Sequence, residues 1–443
     1  MSKSITEPSK STPIIGEYEV VVLGGGPAGL AAAVAAGKSG CRTLLVERHG
    51  FLGGMGTAAG VSNFCGLYAN MFGEHVQVVK GVASDLLARI AHLGGLNEPH
   101  LSFGKIWAQA YDIPAYKLAA DDLLADAGVD MLFHALAVGI SKTSDTLIDA
   151  LILETKSGRQ AIRGRVFIDA SGDGDLATWA GAPYEKGDGE GDSLYPSTMF
   201  RINGVNFAKA GEAWKLIPKL MQQAEANGDF AFPRKSAIVR PQRNPIEWRA
   251  NLTQVSDENG KAIDGVDAAS LSRGEIIGRS QVKETFRFLK TVPGFEDSYV
   301  VEIAPVLGIR ETRRIMGDYV LTESDVLECV DFDDTIGRNS WPIEAHVQGD
   351  IAWRWQDIPN VRGYNQLPYR MLLPQGLNNL LVAGRCASMT HHAQSAARVT
   401  GACFVMGEAA GQAAAMSIEQ GSRPRDIEIE KLQAALEANG VLL

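Results

Sequence analysis

One segment constrains this chain more than any other: VVLGGGPAGLAAAVAAGKSGCRTLLVE, from Val21 to Glu47. Residues 18–23, YEVVVL, are mostly β-branched and apolar, as a strand buried in a parallel sheet requires. Gly24-Gly25-Gly26-Pro27-Ala28-Gly29 then matches GxGxxG. Gly24 permits a tight turn, Gly26 lets backbone approach a pyrophosphate, and Gly29 lets the following helix pack close to the strand. The spacing predicts a helix from Pro27 to about Lys38, rich in alanine. Its N-terminus offers free N–H groups and a partial positive charge to phosphates. A second strand, RTLLVE, delivers Glu47 near the distance expected of an acid that grips ribose hydroxyls. This order of elements predicts an α/β fold with a Rossmann-like, dinucleotide-binding domain. Nicotinamide and flavin proteins share all of it.

The segments that follow separate the two. ERHGFLGGMGT places Arg48, Gly53, Gly54, Met55 and Thr57 directly after the acid. GRVFIDASGDGDLATWAG reads as a strand, Val166 to Ala170, followed by Ser171 and Gly172. NNLLVAGRCASMTHHAQSAARVTGACFVMGEAAGQAAA reads as a strand, Leu380 to Ala383, then Gly384 and Arg385, then a loop and a small-residue helix. On these segments the chain resembles flavoproteins of the glutathione-reductase-like fold, which carry two dinucleotide-binding motifs. The resemblance narrows with LGGMGTAAGVSNFCG, GIRETRRIMGDYVLTESDV and VAGRCASMTHHA, which look like the broad FAD-dependent oxidoreductase family. Arg310, Glu311, Arg313, Thr390, His391, Arg398, Cys403, Gly411, Cys65 and Gly66 stand at matching positions. Ser171, His392 and Gly401 depart from the common pattern.

The resemblance implies an FAD-binding domain with an inserted α+β substrate domain, and FAD bound non-covalently. It assigns FAD contacts to Gly24, Gly26, Pro27, Ala28, Gly29, Glu47, Arg48, Gly53, Gly54, Met55 and Thr57. It adds Ala137 at the adenine, then Ala170, Ser171, Gly172, Gly384, Arg385, Val399, Thr400 and Gly401. It also aims the last helix at the flavin pyrimidine. That arrangement is physically apt, because reduced flavin is anionic there and a helix N-terminus stabilises negative charge.

Expected boundaries are a flexible arm over 1–16, a first FAD-binding part over 17–195, a substrate domain over 196–364, and a closing FAD-binding part over 365–443. A Gly/Asp-rich break, EKGDGEGDSLYPST, marks the first junction. Net charge is -10 without a dense lysine–arginine cluster, which argues against a nucleic-acid partner. The five cysteines are widely spaced with no CxxC. That argues against a disulfide framework and a zinc site, and fits a reducing cytoplasm; no metal site is expected. The apolar run from Val20 to Ala36 is broken by glycines and Pro27, so no membrane span is expected. A homo-oligomer stays open.

No second strand–GxGxxG–helix unit occurs in the middle of the chain, so a built-in nicotinamide domain is not expected. The cofactor would carry the electron chemistry, leaving the protein to bind, orient and tune. A proton acceptor is then needed, and His391 is the first choice, with His392 beside it. Arg310 is a candidate for a substrate carboxylate. Arg313 is read rather as part of an Arg–Glu network with Glu311. Arg398 is read as stabilising reduced flavin or an anionic substrate, with a partner required for its charge. Cys65 reads as a small hydrophobe, His49 as facing solvent or a phosphate, and Trp353 and Trp355 as possible walls of a substrate entrance. The expected reaction is dehydrogenation of a small-molecule substrate, with electrons leaving to oxygen or an external acceptor. An NADPH-dependent monooxygenase, an ene-type reductase and a non-catalytic flavin-binding protein are the alternatives.

Overall fold

The computed structural model describes residues 4–9, 11–358 and 360–443. Residues 1–3 and 10 of the expected arm, and residue 359, lie outside the described residues. The first strand, β1 (Ile14–Leu23), starts within the stretch expected to be an arm. Its early residues pair with a neighbouring strand, Ile14 opposite Ala161, which ordered backbone hydrogen bonds make favourable. The glycine turn leads into α1 (Pro27–Lys38) and then β2 (Thr43–Val46). A helix α2 (Val82–His92) follows. Next come β3 (Asp130–Leu132), β4 (Leu136–Ser144), β5 (Leu147–Thr155) and β6 (Gly158–Asp169).

These strands form one sheet in the order β3-β2-β1-β6-β5-β4. The β3, β2, β1 and β6 pairings are parallel. β4, β5 and β6 form an antiparallel hairpin layer. Val20, Val21 and Val22 are wholly buried, as a strand covered on both faces must be.

A second sheet, antiparallel, is built from β7 (Phe200–Asn203), β8 (Ile238–Pro241), β9 (Trp248–Asn251) and β10 (Tyr299–Ile303), in the order β8-β9-β7-β10. A long helix, α3 (Ala268–Leu289), packs near β10. This region has its own apolar core, with Phe200, Ile202, Trp248, Phe288 and Phe295 at its centre. A hairpin of β11 (Ile343–Val347) and β12 (Asp350–Arg354) follows. The chain then returns to the first sheet through β13 (Leu380–Val382), which pairs parallel with the C-terminal half of β6.

The segment expected to be a loop before the last helix is itself helical. It forms α4 (His391–Ala397), capped by the Thr390 hydroxyl, which accepts from the Ala393 N–H. The reason is local: a threonine N-cap precedes a run of helix-compatible residues. The last core helix, α5 (Thr400–Gln420), crosses α1 backbone to backbone. A Cβ on Gly407 would stand 2.0 Å from the Ala28 carbonyl oxygen, and one on Gly411 would stand 2.1 Å from that of Ala32. Two glycines four residues apart therefore meet two alanines four residues apart.

Glu408 lies on α5 with its carboxylate accepting from the Val82 N–H at 3.0 Å, at the start of α2. Burial, with nearby Asp85 adding to it, pushes this carboxyl up to about 8. A raised carboxyl pKa favours the protonated folded state. The stability it contributes is full below the ordinary carboxyl range and is lost as pH rises through about 8. Urea unfolding should therefore show stability falling between pH 6 and pH 9, and falling less in Glu408→Gln, which keeps the acceptor for Val82. Equal slopes for the two proteins would reject this account.

Candidate functional site

A cavity of about 300 Å³ runs past the C-terminal ends of β1, β2 and β6 and on toward the second sheet. At its near end the first turn behaves as its glycines require. Gly24 has φ +101, and a Cβ there would stand 2.5 Å from the Ala170 carbonyl oxygen. Gly26 caps α1 without any side-chain hydrogen bond, so the helix's first N–H groups stay free. Glu47 is buried and accepts from the Gly25 N–H at 2.7 Å and the His49 N–H at 2.8 Å. This carboxylate stitches the glycine turn to the end of β2. Gly24, Gly26, Pro27 and Ala28 line the cavity, with Glu47, Arg48, His49, Gly54, Met55 and Ala137.

The middle of the cavity is bordered by Ala170, Ser171, Gly172, Gly384 and Arg385. Asp169, wholly buried behind them, accepts from the Ser171 N–H and hydroxyl and from the Ala177 N–H, and so shapes this second glycine turn. Arg385 donates to the Gly172 carbonyl at 2.8 Å, to Asp173 at 2.7 Å and to the Ile309 carbonyl, joining three distant segments.

At the far end α5 presents its N-terminus, with Val399, Thr400 and Cys403 on the wall. Val399 caps this helix with no side-chain hydrogen bond, leaving a positive helix end toward the cavity. Arg310 and Arg398 line the same end. Arg310 donates to the Tyr195 carbonyl at 2.6 Å and the Ser197 hydroxyl at 3.0 Å. Glu311, next in the chain, is buried and does not line the cavity.

Several expected residues do not line the cavity. Gly29 packs behind the turn, where a Cβ would stand 1.8 Å from the Gly24 carbonyl oxygen. Gly53 donates to the Gly25 carbonyl at 2.8 Å, and the Thr57 hydroxyl donates to the Leu52 carbonyl at 2.6 Å; both shape the turn from outside. Gly401 lies beneath the wall, where a Cβ would stand 2.1 Å from the Gly66 carbonyl oxygen. His391 and His392 are also off the wall. Buried Glu311 pairs with His391 Nδ1 at 2.9 Å and with Arg314, and accepts from the Leu194 N–H at 2.9 Å. The expected Arg–Glu network therefore exists with Arg314, not Arg313, which pairs with Asp175. Trp353 and Trp355 stack on each other behind Trp341 and Phe103, which do line the cavity.

Among the wall residues that lay outside the sequence reading are Arg249, Trp341, Glu344 and His346. Glu344 and His346 sit two apart on β11, hence on one face. His346 Nε2 is 3.3 Å from Glu344 Oε1, and the Trp341 indole N–H donates to Glu344 Oε2 at 2.9 Å. Burial opposes ionisation of Glu344, but the His346 bond, the Arg398 charge and the indole outweigh it and hold the carboxyl below the usual carboxylate range. Burial, then the Arg310 charge, pushes His346 well below the usual imidazole range, so it is neutral. A neutral ring beside a carboxylate carries its proton on Nε2, which leaves Nδ1 as a lone pair. That Nδ1 is buried with no partner. The alternation in IEAHV was the available signal, but only the placement of β11 gives it meaning. Burial pushes the Cys65 and Cys403 thiols up to about 12, so neither is a thiolate.

A family model described as FAD dependent oxidoreductase matches residues 19–436. Digeranylgeranylglycerophospholipid reductase 1 of Methanococcoides burtonii is 24% identical over 59% of this chain and 64% of its own. Mitochondrial dihydrolipoyl dehydrogenase of Schizosaccharomyces pombe is 28% identical over 35% of this chain and 28% of its own. The chain thus spans less than two thirds of either relative. Among solved structures, a geranylgeranyl bacteriochlorophyll reductase-like protein from Thermoplasma acidophilum is 14% identical, with TM-score 0.47, covering 96% of this chain and 83% of that one. A p-nitrophenol 4-monooxygenase from Pseudomonas putida is 14% identical, with TM-score 0.47, covering 96% and 88%. Among the described residues no helix is long and apolar enough to cross a membrane.

The cradle itself fits a dinucleotide. A Cβ added to Gly26 would meet only the Gly54 Cα, at 3.8 Å, so the space in front of this glycine is not needed by the protein. Gly26→Ala should fold with a thermal midpoint near that of the native chain yet bind FAD at least about tenfold more weakly, a change of about 1.4 kcal/mol. Visible flavin absorbance of the purified protein reads this directly, and full FAD occupancy in the variant would contradict it. With the family model covering nearly the whole sequence and the cradle intact, the chain belongs to the FAD-dependent oxidoreductase family and takes FAD as its cofactor.

Proposed function

We propose that the protein dehydrogenates a small organic substrate held at the far end of the cavity, with electrons leaving to oxygen or an external acceptor. The observation that carries this reading is the Glu344–His346 pair on the cavity wall. When bound, FAD supplies the acceptor for a hydride. The chain supplies everything else. The two glycine turns and the N-terminus of α1 bind the pyrophosphate, and Glu47 and Ala137 serve the adenosine end. Arg385 holds the second turn in register. Arg398 and the N-terminus of α5 favour negative charge at the far end.

His346 takes the substrate proton at Nδ1, while ionised Glu344 holds Nε2–H and steadies the imidazolium that forms. Trp341 and Phe103 limit water around this pair. His391 does not act here; its Nδ1 lies 2.9 Å from Glu311, and it positions the segment that carries Arg310. In this reading residues 196–364 form the substrate domain, and 17–195 with 365–443 form the FAD-binding part. The second sheet's separate core, between Phe200 and Phe295, supports that division over its own span, as does its gift of Arg249 and Asn251 to the cavity, whereas Ile315, Leu321, Ile336 and Ile343 pack into the first sheet's core.

The reverse direction is the second reading, favoured by the reductase name of the archaeal relative. His346 would then deliver a proton to the unsaturated substrate as its carbon pair becomes saturated, and a free nicotinamide would supply the hydride by way of the flavin. Anaerobic mixing separates the two. Bleaching of the flavin by an organic substrate alone supports dehydrogenation, and rapid bleaching by NADPH or NADH supports reduction. In either direction His346→Gln should retain FAD and slow the substrate half-reaction by about 10²- to 10⁴-fold. His391→Gln should leave that rate close to native. A native rate in His346→Gln would remove it from the mechanism.

A further inference from the structure

The charges at the far end of the cavity do not balance. Arg249 is 5% exposed, donates to the Val61 carbonyl at 2.8 Å, and has its Nε buried without a partner. Arg398 reaches only the Glu344 carbonyl, at 3.4 Å, and its Nε is likewise buried and unpartnered. Arg310 donates to a carbonyl and a hydroxyl. None of the three has a carboxylate partner among the described residues. Elsewhere the chain pairs its buried arginines: Arg385 with Asp173, Arg313 with Asp175, and Arg314 with Glu311.

A single carboxylate, Glu344, faces this end, and it is occupied by His346 and Trp341. Behind the wall Arg234 and Arg240 add further charge, and they donate only to backbone carbonyls. The arginines form one belt. Arg249, Arg310 and Arg398 line the same cavity, together with Cys65 and His346. Carbonyl partners satisfy N–H groups but leave the cationic charge uncompensated, and burying such a charge is costly unless an anion joins it. The flavin end of α5 accounts for Arg398 at most. Arg249 sits on β9, outside the glycine turns, among the apolar walls of Phe103, Trp341, Val61, Met199 and Ile238.

We propose that the substrate is a carboxylic acid with an apolar body, whose carboxylate is received by Arg249 within the belt completed by Arg310 and Arg398. The guanidinium fork suits a planar carboxylate, which can accept two parallel hydrogen bonds. This rests on the reading of the far end as the substrate site. It goes beyond that reading by fixing the substrate's charge and naming the residue that selects it.

The test uses the FAD-loaded protein at pH 7, titrated calorimetrically with benzoate, hexanoate and the uncharged benzamide, while visible difference spectra report on the flavin. Benzoate should bind at least tenfold more tightly than benzamide and perturb the flavin spectrum. Arg249→Gln should weaken benzoate at least tenfold, leave benzamide unchanged and keep its FAD, and Arg249→Lys should recover part of the loss. The proposal is overturned if benzamide matches benzoate, if Arg249→Gln binds benzoate as the native protein does, or if neither acid binds while FAD stays in place. A protein that does not retain FAD would overturn the function proposed above as well, so the two failures are separable.

Discussion

The contact on which the site depends is the crossing of α1 and α5. Both helices point their N-termini into one cavity, α1 at its near end and α5 at its far end. Gly407 and Gly411 against Ala28 and Ala32 bring the two backbones together without intervening side chains. Packing at this distance leaves no slack, because even one added methyl group meets a carbonyl oxygen. The separation of two positive helix ends is thereby set by backbone geometry. Any bound dinucleotide must conform to it.

Around that frame the protein treats charge in two ways. Near the glycine turns, acidic and basic side chains hold the protein together through hydrogen bonds. Glu47 ties Gly25 to His49, Asp169 braces Ser171, and Arg385 spans Gly172, Asp173 and Ile309. Each carries hydrogen-bonding partners on the chain, which is how buried charge is normally tolerated. At the far end, among the described residues, the arginines lack carboxylates, and a histidine nitrogen lacks a donor. Groups left unsatisfied beside a cavity are the groups with something left to offer a ligand.

The second sheet brings a separate core to the same cavity and contributes chemistry rather than scaffold. Arg249 comes from β9, and Ser197 and Met199 immediately precede β7. The β11–β12 hairpin brings Glu344 and His346. Function in such a fold resides in the site and not in the architecture.

Local sequence alone determined the first motif and its consequences. β1, the turn at Gly24–Gly29, α1 and Glu47 are neighbours in the chain, so short-range geometry suffices to place them. The same holds for Ser171 and Gly172 after β6, and for Gly384 and Arg385 after β13. The small residues of α5 likewise announced close packing. Other expectations were limited by distance along the chain. His391 stands at a matching family position before the last helix, with His392 beside it, yet α4 carries both away from the wall, and buried Glu311 claims His391. Gly401 looked like a cofactor contact and proved to be where backbone meets Gly66. Nothing local distinguishes Arg249, Glu344 or His346 from ordinary strand residues. Their roles arise because two sheets and a hairpin, far apart in sequence, close on one cavity. Only tertiary structure decides which charges are neutralised and which stay free, because both pairing and burial are set by partners that the local sequence does not contain.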